Sequence, residues 1–156
     1  MSPVTVIHVG NQKERYFRDA EAEYIRRMRP LCDYRTVCVR EADTRGESSE
    51  KLINRALAEE AAVIRSVIPP RSMTVAMCIE GKQFDSVEFS DVLAASERPI
   101  CFIIGSSFGL DDELKKQCDM RVSFSKMTFP HMLARVILAE QVYRACMIAS
   151  NRKYHK

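Results

Sequence analysis

The chain has 156 residues, 46% hydrophobic and 29% charged, a composition typical of a single domain with its own core. No segment approaches the roughly 20 apolar residues that cross a bilayer, and the start Met1-Ser2-Pro3-Val4 lacks the regions of a signal peptide. We therefore expect a cytoplasmic protein with no membrane partner. The net charge of +3 is too small to indicate nucleic acid by itself.

The six cysteines contain no C-x-x-C pair of the kind that binds zinc or forms a redox dithiol. Cys38, Cys78 and Cys101 lie in apolar runs, where a free thiol behaves as a small hydrophobic side chain. We predict that these three cysteines are buried and that the protein holds no metal.

The first half of the chain alternates strand and helix patterns. A β-branched run from Val4 to Gly10 predicts a strand, and helical spacing from Arg15 to Met28 predicts a helix. Alternation from Tyr34 to Arg40 predicts the second strand. After a polar stretch, an apolar stripe from Leu52 to Val67 predicts a long helix.

The same order continues in the second half. The hydrophobic runs Met73 to Ile79 and Pro99 to Gly105 are typical of parallel strands covered on both faces. Between them, Asp85 and Glu88 have the spacing of a capping box and predict a helix from Ser86 to about Glu97.

Three further elements complete the predicted order. Asp111-Asp112-Glu113 starts a short helix that reaches Cys118, Met120 to Ser125 is the fifth strand, and a last helix runs from about Pro130 to Ala149. This order predicts an α/β fold with a mainly parallel sheet. Ligands in such sheets bind beyond the carboxyl ends of strands, so the candidate ligand sites are the loops after Gly10, Ile79, Gly105 and Ser125.

Two of these loops are candidate ligand sites. The segment Ile103 to Leu110 brackets a loop with glycines, but it fits no phosphate-binding motif, and the acids that follow would repel a polyphosphate. A nucleoside without phosphates fits better, although a tight turn alone also explains the glycines. The segment Phe124 to His131 could wrap an adenine ring through backbone groups, or pack beneath the last helix as an ordinary apolar loop.

The last helix shows little polar face, which predicts burial against both the sheet and a second subunit, and hence a homodimer. His131 and Arg135 share a face at its start. The terminal segment Asn151 to Lys156 is either a frayed end or a functional tail with stacking, phosphate-pairing and proton-transferring groups. Residues 126–156 hold six basic groups and one acid, a net +5, against −2 elsewhere, which indicates RNA at this end.

Several segments of the sequence form a combined pattern, and they are Cys78-Ile79-Glu80-Gly81-Lys82, the glycine loop Gly105 to Leu110, Thr128-Phe129-Pro130-His131 with Arg135, Glu140-Gln141-Val142-Tyr143-Arg144-Ala145 and Tyr154-His155. Together they closely resemble the bacterial 23S rRNA pseudouridine N3-methyltransferase family, a minimal SPOUT class. The resemblance spans essentially the whole chain.

The resemblance implies one SPOUT domain over residues 1–156 with a C-terminal trefoil knot, and a homodimer. It also implies S-adenosyl-L-methionine as methyl donor and transfer to N3 of a pseudouridine in the 23S rRNA stem-loop at the subunit interface, on assembled 70S ribosomes. The residues it places at the donor pocket are Met77, Gly105, Phe124, Ser125, Lys126, Met127, Thr128 and Phe129. Ser106 departs from relatives with a second glycine and would be strained if its φ were positive.

The resemblance also implies roles at the reacting base. Arg135 would contact RNA or stabilise an anion, and His155 would orient the base or accept its proton. Tyr154 would stack on the base or position the tail, and His131 would assist catalysis or cap the helix. Other interpretations are a SPOUT enzyme acting on tRNA or another rRNA base, a Rossmann-type methyltransferase, which the first turn disfavours, and a ribosome-assembly factor that binds RNA without chemistry.

Overall fold

In the computed structural model, which describes residues 1–46 and 48–156, five strands alternate with five helices in the predicted order. The strands are β1 (Val4–Val9), β2 (Tyr34–Val39), β3 (Met73–Gln83), β4 (Ile100–Ile104) and β5 (Met120–Ser123). The helices are α1 (Arg15–Met28), α2 (Glu50–Val67), α3 (Ser86–Ala94), α4 (Asp112–Gln117) and α5 (His131–Ala149).

The strands form one sheet in the order β2-β1-β4-β3-β5, and every pairing between these strands is parallel. The predicted α/β class with a parallel sheet is confirmed. Because every strand is parallel, the candidate loops after β1, β3, β4 and β5 all lie along the carboxyl edge of the sheet, and three of them follow the adjacent strands β4, β3 and β5.

Apolar side chains alternate between the two faces of the sheet because successive residues of a strand point in opposite directions. Phe102 and Ile104 of β4 pack with α1, α3 and α5, whereas Cys101 and Ile103 pack with α2 and α4. Both faces of β4 are therefore buried, as its continuous hydrophobic run predicts.

Helix α5 lies on the sheet between α1 and α3, which both pack against it. The sheet, α1 and α3 of the same chain therefore cover most of the apolar surface of α5. The apolar pattern of α5 is for that reason weaker support for a second subunit than the sequence suggests. Half-exposed apolar side chains remain at Leu133, Val136, Ile137 and Ile148.

Two local predictions have different outcomes. The capping box at the start of α3 is confirmed, with the Asp85 carboxylate accepting from the Glu88 backbone N–H and Glu88 accepting from the Asp85 backbone N–H. The predicted burial of Cys38 is wrong, because β2 is an edge strand and Cys38 is exposed there. Cys101 is buried, and Cys78 is half-buried.

Candidate functional site

A cavity of about 830 Å³ opens at the carboxyl ends of β3, β4 and β5. This volume lies in the range of sites that enclose a drug-sized or cofactor-sized ligand. The predicted donor residues that line it are Met77, Gly105, Phe124, Ser125, Met127, Thr128 and Phe129. Lys126 is exposed and does not line the cavity, although its neighbours on both sides do.

The glycine loop after β4 is folded back on itself. A side chain at Gly105 would place its Cβ 2.1 Å from the Gly109 carbonyl oxygen, so only glycine fits there. Gly109 has a φ of +85°, the left-handed region that favours glycine, and its N–H donates to the Ser106 carbonyl. Both glycines are thus required by the turn that shapes the cavity wall.

Ser106 is not strained, because its φ is not in the left-handed region. It is buried, and its hydroxyl oxygen accepts from the Phe108 backbone N–H at 3.3 Å. The serine therefore supports the turn, and the backbone strain that its departure from the family pattern would have implied is absent.

The strand β3 contains a bulge that the sequence pattern did not reveal. Val122 of β5 aligns with both Met77 and Lys82, so the residues between them leave the ladder and form part of the cavity wall. Gly81 lies against the β5 backbone, where an added Cβ would be 2.6 Å from atoms of Val122. The sequence signal for this bulge is Gly81, because a glycine inside a strand-like run often marks a bulge.

The bulge brings a charged cluster to the cavity. The Lys115 ammonium of α4 donates to Glu80 at 2.5 Å and lies 3.1 Å from an Asp112 carboxylate oxygen. Glu80 and Lys115 both line the cavity. The wall therefore carries one carboxylate and one ammonium, which offset each other, while Asp112 contacts Lys115 from outside the lining.

At the start of α5, His131 lines the cavity but Arg135 does not. Arg135 is only 7% exposed and forms an ion pair with Glu21 of α1, with Nη2 2.9 Å from a carboxylate oxygen. Its Nε and Nη1 find no acceptor among the described residues. Direct contact between Arg135 and RNA stays a prediction, since this structure surrounds the guanidinium with protein.

The Arg135 charge acts on two histidines. Burial lowers the pKa of His131 and the Arg135 charge adds to this effect, while Glu41 opposes it. Burial, with the same guanidinium, lowers the pKa of His8 from 6.5 to about 4. Both imidazoles are consequently neutral at pH 7, and a neutral His131 at the cavity can accept a proton.

The C-terminal segment folds back on α5 through a Schellman motif, in which Asn151 has a φ of 54°. The Arg152 N–H donates to the Met147 carbonyl and the Asn151 N–H donates to the Ile148 carbonyl, the two bonds that define this motif. This motif directs the tail back along the helix. The sequence signal for the motif is Asn151, an asparagine just beyond the end of an apolar helix.

Tyr154 fixes the tail to α5. Its hydroxyl donates to Glu140 at 3.2 Å, its ring meets Tyr143 edge-on at 4.8 Å, and the Arg144 guanidinium lies 4.7 Å from its centroid. Burial and the nearby Glu140 carboxylate raise the pKa of Tyr154 to about 12, so it remains a hydrogen-bond donor at neutral pH. This geometry fits the predicted role in positioning the tail.

His155 is held at the end of this network. Its Nδ1 lies 3.4 Å from Arg144 Nη1, and a guanidinium can only donate, so the neutral ring carries its proton on Nε2. His155 lines a second cavity of about 480 Å³, whereas His131 lines the first. The structure therefore does not bring the four predicted catalytic residues of one chain together at a single point.

The basic C-terminal segment presents less free charge than its composition indicates. Arg135 is neutralised by Glu21 and Arg144 by Glu140. The exposed cations that remain are Lys126, Arg152, Lys153 and Lys156. Three of these four lie in the tail beside His155. The exposed positive charge is therefore smaller and more localised than the net +5 of residues 126–156 indicates.

A parallel α/β sheet with an apolar, glycine-shaped cavity at its carboxyl edge is the arrangement in which α/β proteins bind small ligands. The family model described as predicted SPOUT methyltransferase matches residues 3–155. The chain therefore belongs to the SPOUT methyltransferase family, and the resemblance drawn from its motifs is confirmed.

Curated relatives agree with the family model. The chain is 39% identical over 157 residues to ribosomal RNA large subunit methyltransferase H of Streptococcus pyogenes serotype M5 (strain Manfredo), covering 98% of this chain and 99% of the relative. It is 38% identical, with the same coverage, to the protein of that name from serotype M18 (strain MGAS8232).

Two solved structures share the fold. A probable methylase family protein from Haemophilus influenzae Rd KW20 superimposes with a TM-score of 0.55 at 12% identity, covering 99% of this chain and 70% of that one. TrmJ from Z. mobilis ZM4 gives a TM-score of 0.53 at 10% identity, covering 93% and 70%. Within residues 1–46 and 48–156, no helix is both long and apolar enough to span a membrane.

Proposed function

We propose that the protein is an S-adenosyl-L-methionine-dependent methyltransferase that modifies large-subunit ribosomal RNA, at N3 of a pseudouridine in the stem-loop at the subunit interface of assembled 70S ribosomes. The observation that carries the proposal is the end-to-end similarity, 39% over 98% of the chain, to a relative named for large-subunit rRNA methylation. Methyl transfer itself follows from membership of the SPOUT methyltransferase family.

The first cavity has the properties that the donor requires. Its lining is mainly apolar, with backbone groups of the glycine loop and of the loop from Phe124 to Phe129 within reach of a purine ring. The Glu80 carboxylate and the Lys115 ammonium in the wall offset each other, which suits a donor whose methionine part carries both an ammonium and a carboxylate. When bound, S-adenosyl-L-methionine supplies an electrophilic methyl group.

The chain must orient the acceptor nitrogen and offset the cost of removing its proton. His131 is neutral and lines the donor cavity, so we assign it the proton-accepting role. His155 presents Nε2–H, which donates to a carbonyl of the base and stabilises the negative charge that develops on N3. Tyr154 holds His155 in place, and burial, aided by the Arg135 charge, keeps the pKa of His131 low.

These assignments imply a homodimer, since His131 and His155 of one chain line different cavities. A second subunit that packs on the half-exposed apolar residues of α5 brings one chain's tail toward the other chain's donor cavity. We further propose that residues 1–156 form a single SPOUT domain with a C-terminal trefoil knot, and that the enzyme acts in the cytoplasm, where ribosomes are found.

Deletion of Tyr154 to Lys156 tests the proposal. With ribosomes from cells that lack the modification and tritiated donor, the full chain is expected to label large-subunit rRNA. The truncated chain is expected to lose labelling while donor binding, measured by calorimetry, and the dimer mass, measured by light scattering, stay unchanged. Retained turnover in the truncated chain would refute the role of the tail, and no labelling by the full chain would refute the function.

A further inference from the structure

The loop after β1 lies at the carboxyl edge of the sheet but does not line either cavity. Its path is fixed by Gly10, which has a φ of +82° and whose N–H donates to the Val39 carbonyl at 2.8 Å. The Nδ1 of His8 lies 2.8 Å from the Gly10 carbonyl oxygen, and because a carbonyl can only accept, the ring donates from Nδ1. The loop therefore follows a defined path into α1.

Gln12 is the buried polar residue of this loop, with only 7% of its surface exposed. Its Nε2 donates to the Met132 carbonyl of α5 at 3.0 Å and lies 3.5 Å from Glu21 Oε2. The same Glu21 oxygen lies 2.9 Å from Arg135 Nη2. One amide nitrogen therefore connects the β1 loop to the backbone of α5 and to the ion pair between α1 and α5.

The backbone that Gln12 holds is next to His131, the first residue of α5, which lines the donor cavity. Pro130, which precedes the helix, offers no side-chain acceptor to the first turn. The hydrogen bond from Gln12 to Met132 is thus a contact that fixes this turn against the β1 loop. A displacement of about 1 Å at a reacting group can cost on the order of 100-fold in rate, so this contact matters for turnover.

The surroundings of the His131 ring depend on the same turn. The titratable groups coupled to His131 come from β1, the two loops after β1 and β2, and α5, and they are His8, Lys13, Glu41 and Arg135. Burial lowers the pKa of His131, Arg135 and Lys13 add to this effect, and Glu41 opposes it. Because burial is the largest cause, a first turn that moves away from the β1 loop should bring the pKa back toward its ordinary value.

We propose that Gln12 is a positioning residue, which holds the first turn of α5 through the Met132 carbonyl so that His131 faces the methyl acceptor. The proposal rests on the proposed function, in which His131 accepts the proton. Gln12 does not line the donor cavity, so its loss is expected to lower kcat and to leave donor affinity unchanged.

Gln12→Met tests this role, because methionine keeps the length of the side chain and removes the donor. Methyl transfer to ribosomes is expected to show kcat lowered about tenfold, with KM for ribosomes and the donor dissociation constant within about twofold of the wild type. Ser90→Ala is the matched control. Its hydroxyl donates to the Ala145 carbonyl at 3.1 Å, a buried bond to the backbone of α5 near the other end of the helix. This control should keep the wild-type kcat.

Gln12→Glu is a second variant that protects the test against a folding defect. Its carboxylate offers an acceptor to Arg135 Nε and Nη1, which find none among residues 1–46 and 48–156, but it cannot donate to the Met132 carbonyl. The same loss of kcat is expected, with cooperative unfolding in urea. A wild-type kcat in either Gln12 variant, or an equal loss in Ser90→Ala, would overturn the proposal.

Nuclear magnetic resonance of the histidine rings separates positioning from a general loss of stability. The chain has three histidines, so His8→Gln and His155→Gln assign the ring signals. His131 is expected to titrate below its ordinary pKa of 6.5 in the wild type and in Ser90→Ala, and closer to that value in Gln12→Met. A His131 pKa that is the same in Gln12→Met as in the wild type would contradict the positioning role.

The outcomes separate this role from the proposed function. If the wild type methylates no RNA, the proposed function fails, while a His131 pKa that moves in Gln12→Met and not in Ser90→Ala still supports the positioning role. If the wild type methylates rRNA and Gln12→Met does so with the same kcat, the proposed function stands and the role of Gln12 fails.

Discussion

The most specific structural prediction concerns Glu140, which holds the tail to α5. One of its carboxylate oxygens accepts from Arg144 Nε at 3.0 Å, Arg144 Nη2 at 2.5 Å and the Tyr154 hydroxyl at 3.2 Å. The other accepts from Gln141 at 2.6 Å. Replacement by glutamine keeps the shape of the side chain but removes the charge and turns one acceptor into a donor.

The expected size follows from the difference between charged and neutral hydrogen bonds. Bonds to a charged group contribute about 1.5–3 kcal/mol each and neutral ones about 0.5–1.5 kcal/mol, so Glu140→Gln should weaken tail docking by about 1–2 kcal/mol. If turnover requires the docked tail, kcat falls by at most roughly 5- to 30-fold, the full factor applying when docking in the wild type is marginal. Donor affinity should stay within about twofold of the wild type, because Glu140 does not line the donor cavity.

Steady-state methyl transfer and donor calorimetry measure these two quantities, and tryptic cleavage after Arg152 reports tail release. Glu59→Gln is the matched control because Glu59 forms an i,i+4 pair with Arg55 on an exposed face of α2. An unchanged kcat together with faster cleavage of the tail in Glu140→Gln would refute the claim that the docked tail is needed for turnover.

Three further predictions concern the cavity and the core. Gly105→Ala should abolish donor binding in calorimetry, because the new Cβ would overlap the backbone of the glycine loop. Glu21→Ala should lower the free energy of unfolding in urea by about 3–5 kcal/mol, because it leaves the Arg135 charge buried without a partner. The pKa of His8 is low only in the folded state, so the unfolded chain binds a proton that the folded chain does not. The free energy of unfolding should therefore fall by roughly 3 kcal/mol as the pH drops from 6.5 toward 4. Urea titrations at several pH values should show that His8→Gln removes most of this fall.

Each of these predictions has a control or a contrary result. Gly46→Ala, at a φ of +73° with open space around it, should cost about 1–2 kcal/mol of stability without affecting donor binding. Asp19→Ala breaks an exposed pair with Arg15 and should cost under about 0.5 kcal/mol. The argument for Gly105 would be contradicted by wild-type donor affinity in Gly105→Ala. The argument for Glu21 would be contradicted if Glu21→Ala cost no more stability than Asp19→Ala, and the argument for His8 if His8→Gln left the pH dependence of stability unaltered.

The elements and the position of the loops that line the first cavity were predictable because they depend on local patterns. The hydrophobic runs of β3 and β4 identify buried parallel strands, and Asp85 with Glu88 identifies the start of α3. Strand order and the bulge in β3 depend on contacts between distant segments, so the alignment of Val122 with both Met77 and Lys82 could not be predicted from local patterns.

The charged residues of the site were predicted by type but not by partner. Arg135 is on the predicted face of α5, yet its partner is Glu21, 114 positions away along the chain. The sequence pattern did not predict Lys115 at the cavity, because its contact with Glu80 depends on the bulge in β3. The sequence allows the tail to be either a frayed end or a functional segment, and in the structure it is docked on α5 through Asn151, Tyr154 and Glu140.

The measurement that tests the central claim most directly compares three acceptors from cells that lack the modification: 70S ribosomes, free 50S subunits and tRNA. Each is incubated with the protein and tritiated donor, and the nucleosides are then identified by mass spectrometry. The account predicts N3-methylpseudouridine in 23S rRNA, formed fastest on 70S ribosomes. Label in tRNA alone, or on another nucleoside of the ribosome, would contradict it.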